Sequence, residues 1–186
     1  MKYTEAKSIA EKWMRFLTPA CERIEIAGSI RRGKAEVNDI DIVLKPLTMT
    51  EPDLFGQPTE INFFEELVTQ VAHANGATFL LNGPKHKKLA LPEGIKLELW
   101  IVRPPAEFGA ILLIRTGPED FSHWIVTPRR VGGGLPSYLR EKEGALWRYD
   151  RKISTPEETD FFKAVGMTYI EPERRRAHWV GAERHG

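Results

Sequence analysis

The sequence lacks the means to build a disulfide: of its 186 residues only Cys21 is a cysteine, which excludes a disulfide scaffold. Cys21 reads as an ordinary small side chain near a core. The sequence also lacks an excess of either charge. Lys plus Arg is 27, Asp plus Glu is 26, and the formal net charge is +1. With no global basic field, any grip on nucleic acid has to come from local clusters. No run of about 18 apolar residues occurs, so no transmembrane helix is expected. The start, Met1-Lys2-Tyr3-Thr4-Glu5, has no signal-peptide core. These absences predict an intracellular, soluble protein without a membrane partner. Internal repeats and low-complexity tracts are missing too. Hydrophobic residues at 41% and charged residues at 28% exclude a disordered or collagen-like chain and leave one large domain or two small lobes.

Against these absences stand clear periodic patterns. Ala6, Ile9, Ala10, Trp13, Met14 and Leu17 recur at helical spacing, and Pro19 stops that helix. A short strand is expected over 24–27 and a turn or single helical turn over 30–34. Asp39 to Leu44 alternates acidic and aliphatic residues like a strand. Residues 46–58 are rich in breakers and read as a loop. A second helix is expected over 61–74, with strands over 78–81, 88–91 and 95–102. In the last of these Ile95, Leu97, Leu99 and Ile101 face one way, while Lys96, Glu98 and Trp100 face the other. Helices are expected over 106–114 and 119–127, and short strands over 138–140 and 145–149. A final helix is expected with Thr155 as cap, Pro156 at its first position and Glu158 three residues after the cap. Trp100 reads as core, and Trp147 and Trp179 carry no assigned chemistry.

The chemistry concentrates in Gly28-Ser29-Ile30-Arg31-Arg32-Gly33 followed by Asn38-Asp39-Ile40-Asp41. Gly28 lets backbone approach an anion, Ser29 offers a hydroxyl, and the arginines offer forked donors matched to phosphate. Neighbours in a turn diverge, so only one arginine need point inward. Asp39 and Asp41, two apart on a strand, project from the same face. Carboxylates that close repel, and a divalent cation such as Mg²⁺ resolves the conflict together with substrate phosphates. Glu98, a carboxylate inside an apolar strand, costs stability unless it is solvated, paired or metal-bound. A phosphate nest beside such a cluster suggests nucleotidyl transfer across two ions.

This constellation resembles the nucleotidyltransferase motif of the family X DNA polymerases, the group of polymerase beta. Thr116-Gly117 after an apolar helix resembles that family's palm-to-thumb turn. The stretches Glu143-Gly144-Ala145-Leu146-Trp147, Thr155 to Phe162 and Tyr169 to Arg174 resemble its thumb ending. The resemblance implies an α+β fold: a nucleotidyltransferase-type palm (mixed sheet with helices) over 1–116, and a small α/β thumb lobe over 117–186. It implies that Asp39, Asp41 and Glu98 are the catalytic, metal-binding carboxylates, holding Mg²⁺ with Mn²⁺ able to substitute. Gly28, Ser29, Arg32, Arg115, Thr116, Gly117, Glu119 and Ser122 would contact the nucleotide, with the helix from Glu119 beneath the incoming base. The partners implied are primer-template DNA and a dNTP, and the activity is DNA-directed addition of dNMP with pyrophosphate release, as in gap filling, by a monomer.

Departures from the family pattern carry their own expectations. Glu98 is one methylene longer than the usual aspartate. Ile114 and Arg115 replace the aromatic pair that helps exclude a ribose 2′-hydroxyl, so rNTP use is expected as well. The bond Gly117-Pro118 is expected to be cis. The short stretch before Gly28 leaves no room for the family's lyase and finger domains, so the likeness is to its smallest members. DNA contacts are expected from Lys85, Lys87 and Lys88, from Arg129 and Arg130, and from Arg174 in the cluster 174–176. His86 and His123 read as surface or substrate-contact residues. Two other readings stay open: a small nucleotidyltransferase acting on RNA, a small molecule or a protein, and a nucleic-acid-binding protein with a defunct site.

Overall fold

The computed structural model describes residues 1–52, 55, 57–61 and 63–175. Helix α1 (Tyr3–Leu17) buries Ala6, Ile9, Ala10, Trp13 and Leu17, the stripe its spacing dictates. Strand β1 (Cys21–Ile26), helical turn α2 (Gly28–Arg31) and strand β2 (Asp39–Pro46) follow. Burial pushes the Cys21 thiol up to about 12, so it stays an unreactive packing group. The stretch expected to be a loop instead holds β3 (Met49–Pro52), which pairs antiparallel with β4 (Pro58–Ile61) starting at the loop's expected end. Its prolines are tolerated because Pro52 and Pro58 pair at the hairpin's inner end, where the ladder stops. Residues 53, 54, 56 and 62, which fall in the expected loop and second helix, lie outside the described residues, as do Arg176 and Trp179.

Helix α3 (Phe63–Ala74) leads into β5 (Thr78–Asn82), β6 (His86–Ala90) and β7 (Lys96–Ile101). The main sheet runs in the order β1-β2-β7-β6-β5, with β2 and β7 parallel and the other neighbours antiparallel. The fold is therefore α+β with a mixed sheet. Side chains alternate across a strand, so the register gives the sheet two distinct faces. Ile40, Ile42, Leu44, Leu89, Leu97 and Leu99 are fully buried on one face against Trp13, Phe64 and Val68. Each such side chain contributes roughly 1.5–3 kcal/mol by its burial. The other face carries Asp39, Asp41, Glu98, Trp100, Lys88 and His86, brought side by side by the pairs Asp41 with Glu98, Lys88 with Glu98 and His86 with Trp100.

Helix α4 (Phe108–Thr116) covers part of that polar face. Phe108 and Leu112 pack with Ala27 and Val43 of the sheet, while Ala110 and Leu113 enter a second core with Phe121, Ile125, Leu146, Phe161 and Phe162. An apolar surface on nearly every side is what a helix shared by two cores requires. A Cβ on Gly109 would lie 2.2 Å from the Glu157 carbonyl carbon, so glycine permits the close approach in which Gly109 N–H donates to Thr155 O. Helix α5 (Glu119–Val126) follows after a cis Gly117-Pro118 bond, as expected. Strands β8 (Arg140–Lys142), β9 (Ala145–Arg148) and β10 (Arg151–Ile153) form an antiparallel sheet. β10 was not anticipated, because Arg-Lys-Ile offers no alternation to read.

Helix α6 (Glu158–Ala164) starts later than its pattern suggests. Glu157 and Asp160 form its capping box, not Thr155 and Glu158. Glu158 is drawn inward to bind Arg31 at 2.6 Å and Arg175 at 2.9 Å. This triad, together with the Arg31 bond to Thr116 Oγ1 at 2.8 Å, ties α6 and Arg175 to α2. Among the described residues no helix is long and apolar enough to cross a membrane.

Candidate active site

The site grows from the junction of β1, α2 and β2. Gly28 takes φ +59°, and a Cβ there would fall 2.0 Å from Asp41 Oδ2. The Asp41 carboxylate thus lies directly against the α2 backbone. Its Oδ1 accepts a hydrogen bond from Trp100 Nε1 at 3.0 Å. Burial, reinforced by repulsion from Asp39 and Glu98, pushes the Asp41 carboxyl up to about 6, against the opposing pull of the Trp100 bond and Arg32. Among the described residues Ser29 Oγ is buried with no protein partner. A buried hydroxyl without a protein partner needs a water, an ion or a ligand atom to satisfy it.

Trp100 is held between two partners. The His86 ring stacks on it at 3.8 Å and 3°, and the Arg115 guanidinium lies 3.5 Å from its centroid. Two groups that near the centroid cannot share a face, so they cover opposite faces. Burial holds both the Arg115 guanidinium and the His86 imidazole below their ordinary values, for His86 against the opposing bond to Glu98. Arg32 donates to the Thr116 carbonyl, and burial lowers it too, with Asp41 and Asp39 pulling the other way.

A cavity of about 1070 Å³ opens here. Of the residues expected at the site, it is lined by Gly28, Ser29, Arg32, Asp39, Asp41, Arg115, Gly117, Glu119 and Ser122. Ser122 Oγ is already engaged, donating to Ile114 O at 2.7 Å. Thr116 is fully buried behind the wall, with its hydroxyl taken by Arg31 and its carbonyl by Arg32. Trp100, Lys34, Asp120 and His123 also line the cavity. Trp100 is the clearest omission of sequence reasoning, since the alternation of β7 places it on the face of Glu98 rather than in the core.

Glu98 is beside Asp41 in register but is not on the cavity wall. Its Oε1 is 2.6 Å from Lys88 Nζ and its Oε2 is 2.9 Å from His86 Nε2. Bonding to Glu98 raises the Lys88 ammonium above its ordinary value. Asp39 and Asp41 fit a divalent ion: they are oxygen donors on one face, and a cation would offset both the burial that chiefly holds Asp41 up and the repulsion from Asp39 that adds to it. Among the described residues no group of three His, Cys, Asp or Glu side chains is arranged to hold an ion.

The residues expected to meet DNA divide sharply. Lys85 and Arg130 are exposed. Arg129 spends its guanidinium on the carbonyls of Gly134 and Val165. Arg174 is exposed on the turn after Glu171. Lys88 is committed to Glu98. Lys87 is corrected: it is 2% exposed on the apolar side of the sheet, bonded to Asn82 and paired with Glu65 of α3 at 2.6 Å. Adjacent strand residues face opposite ways, so Lys87 and Lys88 could not share one role.

No family model matches the chain. Among curated proteins it is 26% identical over 172 residues to DNA polymerase lambda of Rattus norvegicus, an alignment covering 80% of this chain and 28% of that protein. The chain thus spans little more than a quarter of that relative's length. The similarity is distant, and it points toward a family X-like relationship.

Proposed function

We propose that the chain is a nucleotidyltransferase that adds dNMP to a primer 3′-hydroxyl under the direction of a DNA template. The observation that supports this most is a single cavity lined by Gly28, Ser29, Arg32, Asp39 and Asp41, together with Arg115 and Gly117 at the end of α4. In this reading the triphosphate lies over Gly28, Ser29 Oγ donates to a phosphate oxygen, and Arg32 supplies forked donors. Asp39 and Asp41 present oxygens to Mg²⁺ or Mn²⁺, and Trp100 fixes the carboxylate of Asp41. A bound divalent ion would supply charge neutralisation for the phosphates and for the departing pyrophosphate. The primer 3′-hydroxyl gives up its proton to water, its oxygen forms a bond to the α-phosphorus, and the bond from that phosphorus to the oxygen bridging to the β-phosphate breaks, so that pyrophosphate leaves with that oxygen. Residues 1–116 would act as palm and 117–186 as thumb. Lys85, Arg130 and Arg174 would follow the duplex phosphates. Ile114 and Arg115 stand where the aromatic gate is expected, with Arg115 over Trp100, and in this reading the site would accept an rNTP as well.

A second reading has one specific observation in its favour. Glu98, paired to Lys88 and His86, suits a nucleic-acid-binding protein that transfers nothing. Incorporation of labelled dNTP on primer-template DNA with Mg²⁺ or Mn²⁺, beside Asp41→Ala, separates them. Extension by the wild type and not by the variant supports the polymerase. DNA binding without extension supports the second reading, and labelling of an RNA or protein acceptor instead would move the activity to another class.

A further inference from the structure

We propose that Lys88 and His86 form an internal clamp that withholds Glu98 from the divalent ion, so that the site takes one ion, on Asp39 and Asp41. This rests on the nucleotidyl-transfer reading and refines it.

Both Glu98 oxygens are engaged, one by each partner. Both partners stand on β6, and β6 adjoins β7 on the side away from β2. The carboxylate is therefore drawn from Asp39 and Asp41 toward the far neighbour strand, and it is missing from the cavity wall. The clamp is itself anchored: His86 stacks on Trp100, and Trp100 Nε1 holds Asp41. Swinging Glu98 toward the aspartates breaks its ion pair and strips the imidazole of its hydrogen bond, and both costs rise in a partly buried site.

Charge balance agrees. Lys88 neutralises Glu98, which leaves Asp39 and Asp41 as the two unpaired carboxylates that β2 presents beside it among the described residues, the number that one divalent ion matches. The ammonium lies close enough for Asp39 and Asp41 to act on it, so a second ion at Glu98 would meet a fixed positive charge. The arrangement is set by register, because Lys88 pairs with Glu98 and Glu98 with Asp41 across three strands.

The test counts Mn²⁺ bound per chain by equilibrium dialysis, with electron paramagnetic resonance to detect coupled pairs, in the presence of primer-template DNA and an α,β-imido dNTP. Wild type and Glu98→Gln are each expected to hold one uncoupled ion. The double variant His86→Phe with Lys88→Met keeps a ring over Trp100 and frees both Glu98 oxygens, and it is expected to gain a second, coupled ion. Two coupled ions in the wild type would overturn the clamp and leave the nucleotidyl-transfer reading standing. Loss of the single ion in Glu98→Gln, or a count still at one in the double variant, would overturn it as well. No bound ion with the nucleotide in the wild type would overturn both.

Discussion

A Cβ atom on Gly28 would lie 2.0 Å from Asp41 Oδ2. The α2 turn and the Asp41 carboxylate are therefore one mechanical unit, and the contact leaves no room for any side chain at position 28. Gly28→Ala is expected to push Asp41 off Trp100 Nε1 and to strain a backbone at φ +59°. Displacing a reacting group by about 1 Å costs on the order of 10²-fold. Primer extension by Gly28→Ala should fall by at least that factor, with a lower melting temperature. Extension within a few-fold of wild type would show that the contact is dispensable.

The raised Asp41 group makes the protein less stable once its carboxylate is ionised. The folded state holds this proton more tightly than the unfolded chain, so stability falls as pH rises from 3.8 to about 6. The full penalty above that range is roughly 3 kcal/mol. Asp41→Asn keeps an acceptor for Trp100 and removes the charge. In metal-free buffer its melting temperature should exceed that of wild type at pH 7.5, and the difference should close by about pH 4. Thermal melts across that range check this, and a less stable Asn variant at pH 7.5 would contradict it.

Glu158 behaves in the opposite sense. Burial alone would raise its carboxyl, but the bonds from Arg31 and Arg175 outweigh burial and hold it below its ordinary value. Its stabilisation is present above the ordinary glutamate value of 4.5 and is lost as pH falls through the depressed folded value. Glu158→Ala leaves Arg175, with its side chain fully buried, uncompensated, a loss of about 3–5 kcal/mol at pH 7. Glu158→Gln should lessen the acid-limb dependence in denaturant titrations at pH 7 and pH 3, with Glu157, held down by Arg23, supplying part of what remains. An unchanged midpoint for both variants at pH 7 would argue against the triad.

Lys87 and Lys85 should separate stability from DNA affinity. Lys87→Ala deletes a buried partner of Glu65 and should cost on the order of 1–3 kcal/mol in unfolding titrations. Lys85→Ala and Arg130→Ala should leave stability unchanged, weaken DNA binding and each lower the salt slope by about 1. Equal slopes for wild type and both surface variants would remove them from the interface.

The sequence made legible those features that depend on local order. The α1 stripe, the Asp39–Asp41 face, the turn at Gly28 and the alternation of β7 follow from spacing alone. The features that escaped depend on pairing between strands. His86 and Trp100 meet only because β6 and β7 pair in one register, and that register is not written in either segment. Glu158 has the spacing of a cap residue, and only the approach of Arg31 and Arg175 draws it away. Lys87 was within reach of local reasoning, since alternation puts it opposite Lys88. Distant likeness to a polymerase could not reveal the Glu98 clamp, because the partners that make it lie on another strand.

The most direct measurement of the central claim is a crystal of the protein grown with Mn²⁺ and a non-hydrolysable dNTP, examined at the manganese absorption edge. The account predicts an anomalous peak between Asp39 and Asp41, touching the triphosphate, with Ser29 Oγ and Arg32 on its oxygens. A nucleotide seated away from that face, or manganese bound without either aspartate, would contradict it.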